Sequence, residues 1–381
     1  MPQKKSHNRI IEFSAIGFLT CSYLYMITGG SYIILIFFIL FLIFSNLLIS
    51  KFGIARPSLI DFLVFLLTVS FTLPVFLGRE GIYGLVIPVA GLVIWYGLRN
   101  IIRDEKAVAA ILKGVYLFSI IIAAVIVFRL LAGVDVRRIA ALGGSGNQTA
   151  ILLFIGSYMA FLKLIDKKNM LKLLTFLFLV VSLLLTTGRS SWLALTLAIG
   201  VYIFKSKKSI FDSKSLALLV VSTLAFATLG LASQVVIDEP SKNSPLLNAY
   251  ERVVDYGGKE GTSGRDEIWA YAIEIGLQYP VAGYGWNIVE RFEDFTALGV
   301  QVSSPHNTFL NTFLRSGLLG FTLLISMIWF VWSRVKDNDV LLPLYIGILA
   351  ISIFESFAIG GLIIRNMLFT LIFVMCVADR R

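Results

Sequence analysis

The side chains best suited to chemistry are His306, in the run Ser303-Ser304-Pro305-His306-Asn307, and a group of arginines in the same region. His306 is one of two histidines in the chain; the other, His7, sits in a basic N-terminal tail and needs no functional explanation. Imidazole is the side chain best matched to general-base work near neutral pH. His306 closes the one long polar stretch, roughly 237–304, of an otherwise almost wholly apolar sequence. The same stretch holds Ser263-Gly264-Arg265-Asp266-Glu267-Ile268-Trp269 and Gly283-Tyr284-Gly285-Trp286. Ser304 can serve as N-cap and Pro305 as first helical residue, which places His306 in the first turn of a helix. There the helix dipole and nearby arginines oppose a second positive charge and favour neutral imidazole, the form a base needs. A capping or interfacial histidine is the structural alternative.

The elements that would hold this stretch are membrane helices. Hydrophobic residues make up 57% of the chain and charged residues 15%, against about 25% charged in soluble domains. A spanning helix needs about 20 mostly apolar residues. Such runs lie near 11–28, 31–50, 59–77, 82–98, 108–131, 147–163, 171–187, 190–204, 216–236, 309–333, 340–358 and 361–377. The sequence therefore predicts an all-α polytopic membrane protein of about twelve spans. Residues 1–236 hold the first nine, 237–304 form a large outer loop with short amphipathic helices, and 305–381 hold the last three. The tenth run reads as composite. Spanning straight from Pro305 would put Arg315 about 15 Å deep, whereas Gly317 to Ser333 nearly spans alone, so a bend is expected near Ser316-Gly317. Cys21 and Cys376 are far apart in apolar runs and imply neither a disulfide framework nor a zinc site. The basic N-terminus followed by an apolar run imitates a signal peptide but reads as an uncleaved first helix.

The net charge of +10 does not indicate nucleic acid. With the N-terminus inside, 21 of the 33 basic residues fall on the cytoplasmic side beside short loops, as the positive-inside rule requires. Both termini are then cytoplasmic and the long loop faces outward. The outer side carries Arg79, Arg129, Arg137, Arg138, Arg189, Arg252, Arg265, Arg291, Arg315 and Arg365 against only two lysines, Lys242 and Lys259. Topology would accept either residue, but the planar guanidinium fork binds phosphate bidentately. An anionic ligand on the outer face follows for the set, although single arginines can equally pair with Glu355 or other acids. Arg189, in Thr186-Thr187-Gly188-Arg189-Ser190-Ser191-Trp192, lies in a very short connection at the outer boundary and could also be an interfacial anchor. Arg265 follows a capping-box pattern, Ser263-x-x-Asp266, opening an amphipathic helix of about 265–278. Glu355 is placed near the outer end of the eleventh run, within reach of Arg365.

Several chemistries lack their signatures. The sequence has no P-loop, no HExxH and no GxSxG elbow. Its one Asp-x-Asp, Asp337-Asn338-Asp339, falls on the cytoplasmic side, so nothing supports a metal-dependent, nucleotide-sugar reaction outside. An outer anionic substrate is most naturally a lipid-linked diphosphate or a phospholipid headgroup. No cofactor and no metal are expected.

These residues carry a family resemblance. Ser263-Gly264-Arg265-Asp266-x-Ile268-Trp269, Pro280-x-x-Gly283-Tyr284-Gly285, Pro305-His306-Asn307-x-Phe309-Leu310 and Gly317-Leu318-Leu319-Gly320 resemble the O-antigen ligase and O-antigen polymerase superfamily. The resemblance is densest over about 186–333, and it rests on the order and spacing of motifs that are individually weak. It implies a metal-independent, inverting glycosyltransferase of the bacterial cytoplasmic membrane. A glycan passes from an undecaprenyl-diphosphate carrier to an acceptor hydroxyl at the outer face. His306 matches the family's proposed base, and Arg265 and Arg189 match the arginines proposed to hold the diphosphate. Arg137, Arg138, Arg315 and Arg365 are added from topology alone. The acceptor is either lipid A-core, in a ligase, or a second carrier-linked glycan, in a polymerase; the wider use of polymerases favours the latter slightly. Membrane lipids surround the protein and no nucleic acid partner is expected. Two alternatives stay open: a transporter or flippase, which would place its site near the bilayer midplane, and a cell-wall glycan polymerase of another polytopic family with a carboxylate base.

Overall fold

The computed structural model describes residues 57–132, 146–167, 169–186, 188–206, 265–286, 304–357 and 364–378. Every expected apolar run within them is helical, and no strand occurs among the described residues. The helices are α1 (Leu59–Phe76), α2 (Val86–Ile101), α3 (Glu105–Leu131), α4 (Gly146–Asp166), α5 (Met170–Leu185), α6 (Arg189–Lys205), α7 (Arg265–Gly276), α8 (Thr308–Val335), α9 (Leu341–Phe354) and α10 (Ile364–Cys376). A 3-10 turn, Ile82–Leu85, opens the run expected from 82. Four helices, α1, α3, α4 and α8, are long and apolar enough to cross a membrane. The runs 11–28, 31–50 and 216–236 lie outside the described residues.

The chain forms two compact units, Met1–Val115 with Arg265–Arg381, and Tyr116–Gly264. In the second, α4 is the buried centre: Ala150, Ile151, Leu152, Leu153, Phe154 and Tyr158 are all inaccessible. It packs against both α5 and α6. Phe161 meets Phe176 of α5 at 6.1 Å and Tyr202 of α6 at 5.8 Å between ring centroids. Gly156 lets Ser119 of α3 approach closely enough for its hydroxyl to donate to the Leu152 carbonyl at 3.0 Å.

In the first unit α8 is central and touches α1, α7, α9 and α10. Ser70 and Gly320 keep the α1–α8 crossing close, since a Cβ on Gly320 would stand 3.0 Å from the Ser70 hydroxyl. The other face of α1 leaves Leu59, Phe62, Phe65, Val69 and Phe76 exposed at helical spacing, a stripe suited to lipid. At the start of α1, Asp61 is only 2% exposed yet fully matched. Its Oδ2 accepts from the Ser58 N–H at 2.8 Å and the Ser58 hydroxyl at 2.7 Å. Its Oδ1 accepts from Trp95 Nε1 at 2.8 Å and Arg99 Nε at 3.3 Å, which locks α1 to α2.

A carboxylate this deeply buried is stabilising only while its partners remain. Asp61→Ala strands the buried Arg99 and is expected to cost about 3–5 kcal/mol, read as a lower unfolding temperature of the purified protein. Asp61→Ala combined with Arg99→Leu should recover part of the loss. An unchanged unfolding temperature for the single variant would remove the pair from the fold's support.

Candidate active site

The bend expected near Ser316-Gly317 is present. Gly317 has φ 62 and ψ −159, a region reserved for glycine, and divides α8 into two helical halves. A break here removes the intrahelical bonds from Leu318 N–H to Leu314 and from Leu319 N–H to Arg315. The loop after α7 replaces them. Tyr284 N–H donates to the Leu314 carbonyl at 2.8 Å and Gly285 N–H to the Arg315 carbonyl at 2.9 Å. Leu318 N–H and Leu319 N–H donate to the carbonyls of Pro280 at 2.7 Å and Val281 at 3.3 Å. The two backbones lie in contact, because a Cβ on Gly317 would collide with the Val281 carbonyl and one on Gly283 (φ 70) with the Arg315–Ser316 peptide. The glycines of two sequence motifs thus exist for each other.

The end of α1 holds the same loop from the other side. Arg79 Nη1 donates to the Gly283 carbonyl at 3.0 Å, and its guanidinium lies 4.2 Å over the Tyr279 ring. Glu80 Oε2 accepts the Trp286 N–H at 2.7 Å. Trp286 rests edge-on against Phe71, 5.6 Å between centroids, and carries the Arg315 guanidinium 3.9 Å above its ring. The stack fixes the plane of the Arg315 guanidinium against the indole.

His306 sits where three segments converge. Helix α7 packs Ile268, Ala272 and Ile275 against Leu314 and Leu310 of α8. This carries Trp269 Nε1 to the Pro305 carbonyl at 2.9 Å. Beyond the histidine, Asn307 N–H donates to Ser356 Oγ at 3.1 Å, and the Thr308 hydroxyl donates to the Glu355 carbonyl at 2.7 Å and accepts the Phe357 N–H at 2.9 Å. The sequence-based cap is corrected by this geometry. Asn307, not Ser304, is the N-cap, its side-chain carbonyl accepting from Phe309 N–H at 2.9 Å and Leu310 N–H at 3.0 Å. His306 therefore precedes the helix instead of occupying its first turn. Its φ is +47, the one positive value at a non-glycine among the described residues. Such a conformation costs energy and persists only where neighbours over-determine it, as the bonds at Pro305 and Asn307 do.

Arg265 opens α7, as expected, and the helix ends at Gly276, slightly short of the expected 278. Its guanidinium pairs with Glu355, Nη2 to Oε1 at 3.9 Å, and lies 5.7 Å from the Phe354 ring centroid. The Glu355 side chain is 1% exposed and that of Arg265 25%, so the carboxylate is enclosed while the guanidinium keeps an accessible edge. Glu355 is a partner of Arg265 and, through its carbonyl, of the entry to α8; the expected reach to Arg365 lies outside the described side chains. It caps the C-terminus of α9. A lone carboxylate in the apolar run 340–358 was the available signal; its partner could not be read from spacing.

The structure brings Arg265 and the His306 segment together through Glu355 and puts Arg315 on α8, beside Trp286. Arg189 belongs to the other unit, as the first residue of α6 after the three-residue connection from α5. Arg365 lies in the first turn of α10, its side chain outside the described set. Arg137, Arg138 and the Ser263 cap lie outside the described residues.

Residues 174–325 match the family described as O-antigen ligase, which supports kinship with the O-antigen ligase-like superfamily. The matched span contains Arg189, Arg265, His306 and Arg315 and stops short of Glu355. The chain is also similar to an uncharacterised protein of Haemophilus influenzae, 24% identical over 155 residues, which is 38% of this chain and 38% of that protein. The apolar helices and the family match together mark a membrane protein.

Because Gly317 adopts a glycine-only conformation against the Val281 carbonyl, Gly317→Ala is expected to cost about 1–3 kcal/mol in backbone strain alone, with the collision in addition. The readout is the yield and unfolding temperature of the purified protein. Wild-type values for both would show that the two backbones are not in contact.

Proposed function

We propose that the chain is a membrane glycosyltransferase that moves a glycan from an undecaprenyl-diphosphate carrier to an acceptor hydroxyl at the outer face of a bacterial cytoplasmic membrane. Surface polysaccharide synthesis is the setting, with a carrier-linked glycan acceptor slightly favoured over lipid A-core. The observation that carries the reading is His306, held in a strained backbone conformation at the entry to α8, which bonds to Glu355, the buried partner of Arg265. The family match over 174–325 supports the same class of activity.

In this reading His306 takes the proton of the acceptor hydroxyl as its oxygen bonds to the anomeric carbon of the donor. The bond from that carbon to the diphosphate oxygen breaks, and the diphosphate leaves with the electron pair. Arg265 and Arg315 stabilise the charge that develops on it, with Arg189, Arg137, Arg138 and Arg365 as further phosphate ligands. Glu355 holds Arg265 in register. The Trp286 stack does the same for Arg315. Fixed cations of this kind act without reorganising at the moment of reaction.

The broken α8 also resembles the discontinuous helices with which transporters bind cargo. In a transporter the polar groups at the break face the cargo. Here the carbonyls of Leu314 and Arg315 and the N–H groups of Leu318 and Leu319 are all engaged by residues 280–285, which favours transfer over transport.

The test is complementation of a deletion strain with His306→Ala and Arg265→Ala, reading surface glycan on a gel. Loss of a general base lowers turnover by about 10²–10⁴-fold, and loss of one charge-stabilising donor by about 10²–10³-fold. Both variants should abolish visible product. A missing ladder with single repeats still attached to the acceptor indicates a polymerase. Missing attachment with accumulating carrier-linked polymer indicates a ligase. Normal glycan from both variants at normal protein levels would sink the assignment.

A further inference from the structure

The outer half of α8 carries a buried polar face on a helix apolar enough to cross a membrane. Thr308, Asn311, Thr312 and Ser316 are all at most 3% exposed. Thr308 and Arg315 are seven residues apart, and Asn311 is three beyond the first and four before the second, which puts all of them on one face. Leu310 and Leu314 pack against α7, with Leu314 flanking Asn311 on that side. Most of the polar groups on this face are accounted for. Thr308 bonds to residues 355 and 357, Thr312 Oγ1 donates to the Thr308 carbonyl at 2.9 Å, and Ser316 Oγ donates to the Thr312 carbonyl at 2.8 Å. Asn311 is different. Its Oδ1 is buried and has no hydrogen-bond partner among the described residues. Buried polar groups in native proteins are nearly always matched, so an unmatched amide inside an apolar helix bundle calls for a reason.

We infer that the Asn311 amide recognises the sugar that is being transferred. This rests on the reading of His306 as base and Arg315 as diphosphate ligand. In that reaction the sugar ring lies between the acceptor hydroxyl and the departing diphosphate. Asn311 lies about 6 Å along the helix axis from Asn307, the neighbour of His306, and about 6 Å from Arg315. It occupies the middle position of that same order. A carboxamide offers both an acceptor and a donor, and a sugar hydroxyl is complementary to either. The assignment therefore does not depend on which way round the amide stands. A buried amide awaiting a hydroxyl also discriminates strongly, since a sugar lacking that hydroxyl leaves the amide unmatched.

The experiment is a thermal-shift comparison on the purified full-length protein. The ligands are farnesyl diphosphate and farnesyl diphosphate bearing glucose, galactose or N-acetylglucosamine. At least one sugar-bearing lipid is expected to raise the wild-type unfolding temperature beyond the bare diphosphate. Asn311→Leu, and Asn311→Ala as the variant without added bulk, should lose that increment while keeping the shift from farnesyl diphosphate. Without ligand both should unfold no lower than wild type, because no partner is lost. Retention of the sugar increment by Asn311→Ala, a lower unliganded unfolding temperature in both variants, or no increment from any sugar in the wild type would each overturn the inference. Wild type that does not respond to farnesyl diphosphate at all would instead overturn the carrier-lipid reading beneath it.

Discussion

The first unit depends on how an interrupted helix is completed. Within an apolar environment each unpaired backbone group costs several kcal/mol, so α8 can break at Gly317 only if protein groups replace the bonds it loses. The segment Pro280–Gly285 supplies two N–H donors and two carbonyl acceptors in the order the break requires. The remaining arrangement follows from that splice. Holding the loop against mid-α8 also holds α7 against its N-terminal half, and α7 in turn brings Trp269 to Pro305 and Arg265 to Glu355. The position of His306, just before α8, is therefore set by backbone pairing some ten residues further along the chain.

Charge is handled differently at the two ends of α1. At its start, Asp61 and Arg99 are enclosed and all four acceptor sites of the carboxylate that the neighbours can reach are used, an arrangement suited to holding helices together. At its far end, Arg79 and Glu80 grip a loop while staying partly accessible. The Arg265–Glu355 pair combines both traits: one member is enclosed and the other keeps an accessible edge. A pair enclosed on one side only holds the cation in place while leaving part of it within reach of solvent.

Much of this was legible in the sequence because it depended on local pattern. Run lengths located α1 and α3 to α6, the capping pattern located the start of α7, and the depth that Arg315 would otherwise reach pointed to the bend at Gly317. What remained hidden depends on contacts between distant residues. The cap at Asn307 displaced the one expected at Ser304 because residues 355–357 hold the chain extended there. Glu355 lies 90 positions from the arginine it pairs with, and no periodicity links them. The glycines of Pro280-x-x-Gly283-Tyr284-Gly285 and Gly317-Leu318-Leu319-Gly320 could be recognised as motifs, but only the fold shows that a glycine in one is needed so that the backbone of the other can pass.

The splice also restricts how this chain can vary in length. Two carbonyls at one end of Pro280–Gly285 and two N–H groups at the other must meet four fixed partners on either side of Gly317. One residue inserted or deleted between Val281 and Tyr284 would leave one pair of bonds aligned and displace the other by a full peptide. Loops ordinarily absorb such changes. This one has the register of a strand pair, and its length is as fixed as that of the helix it completes.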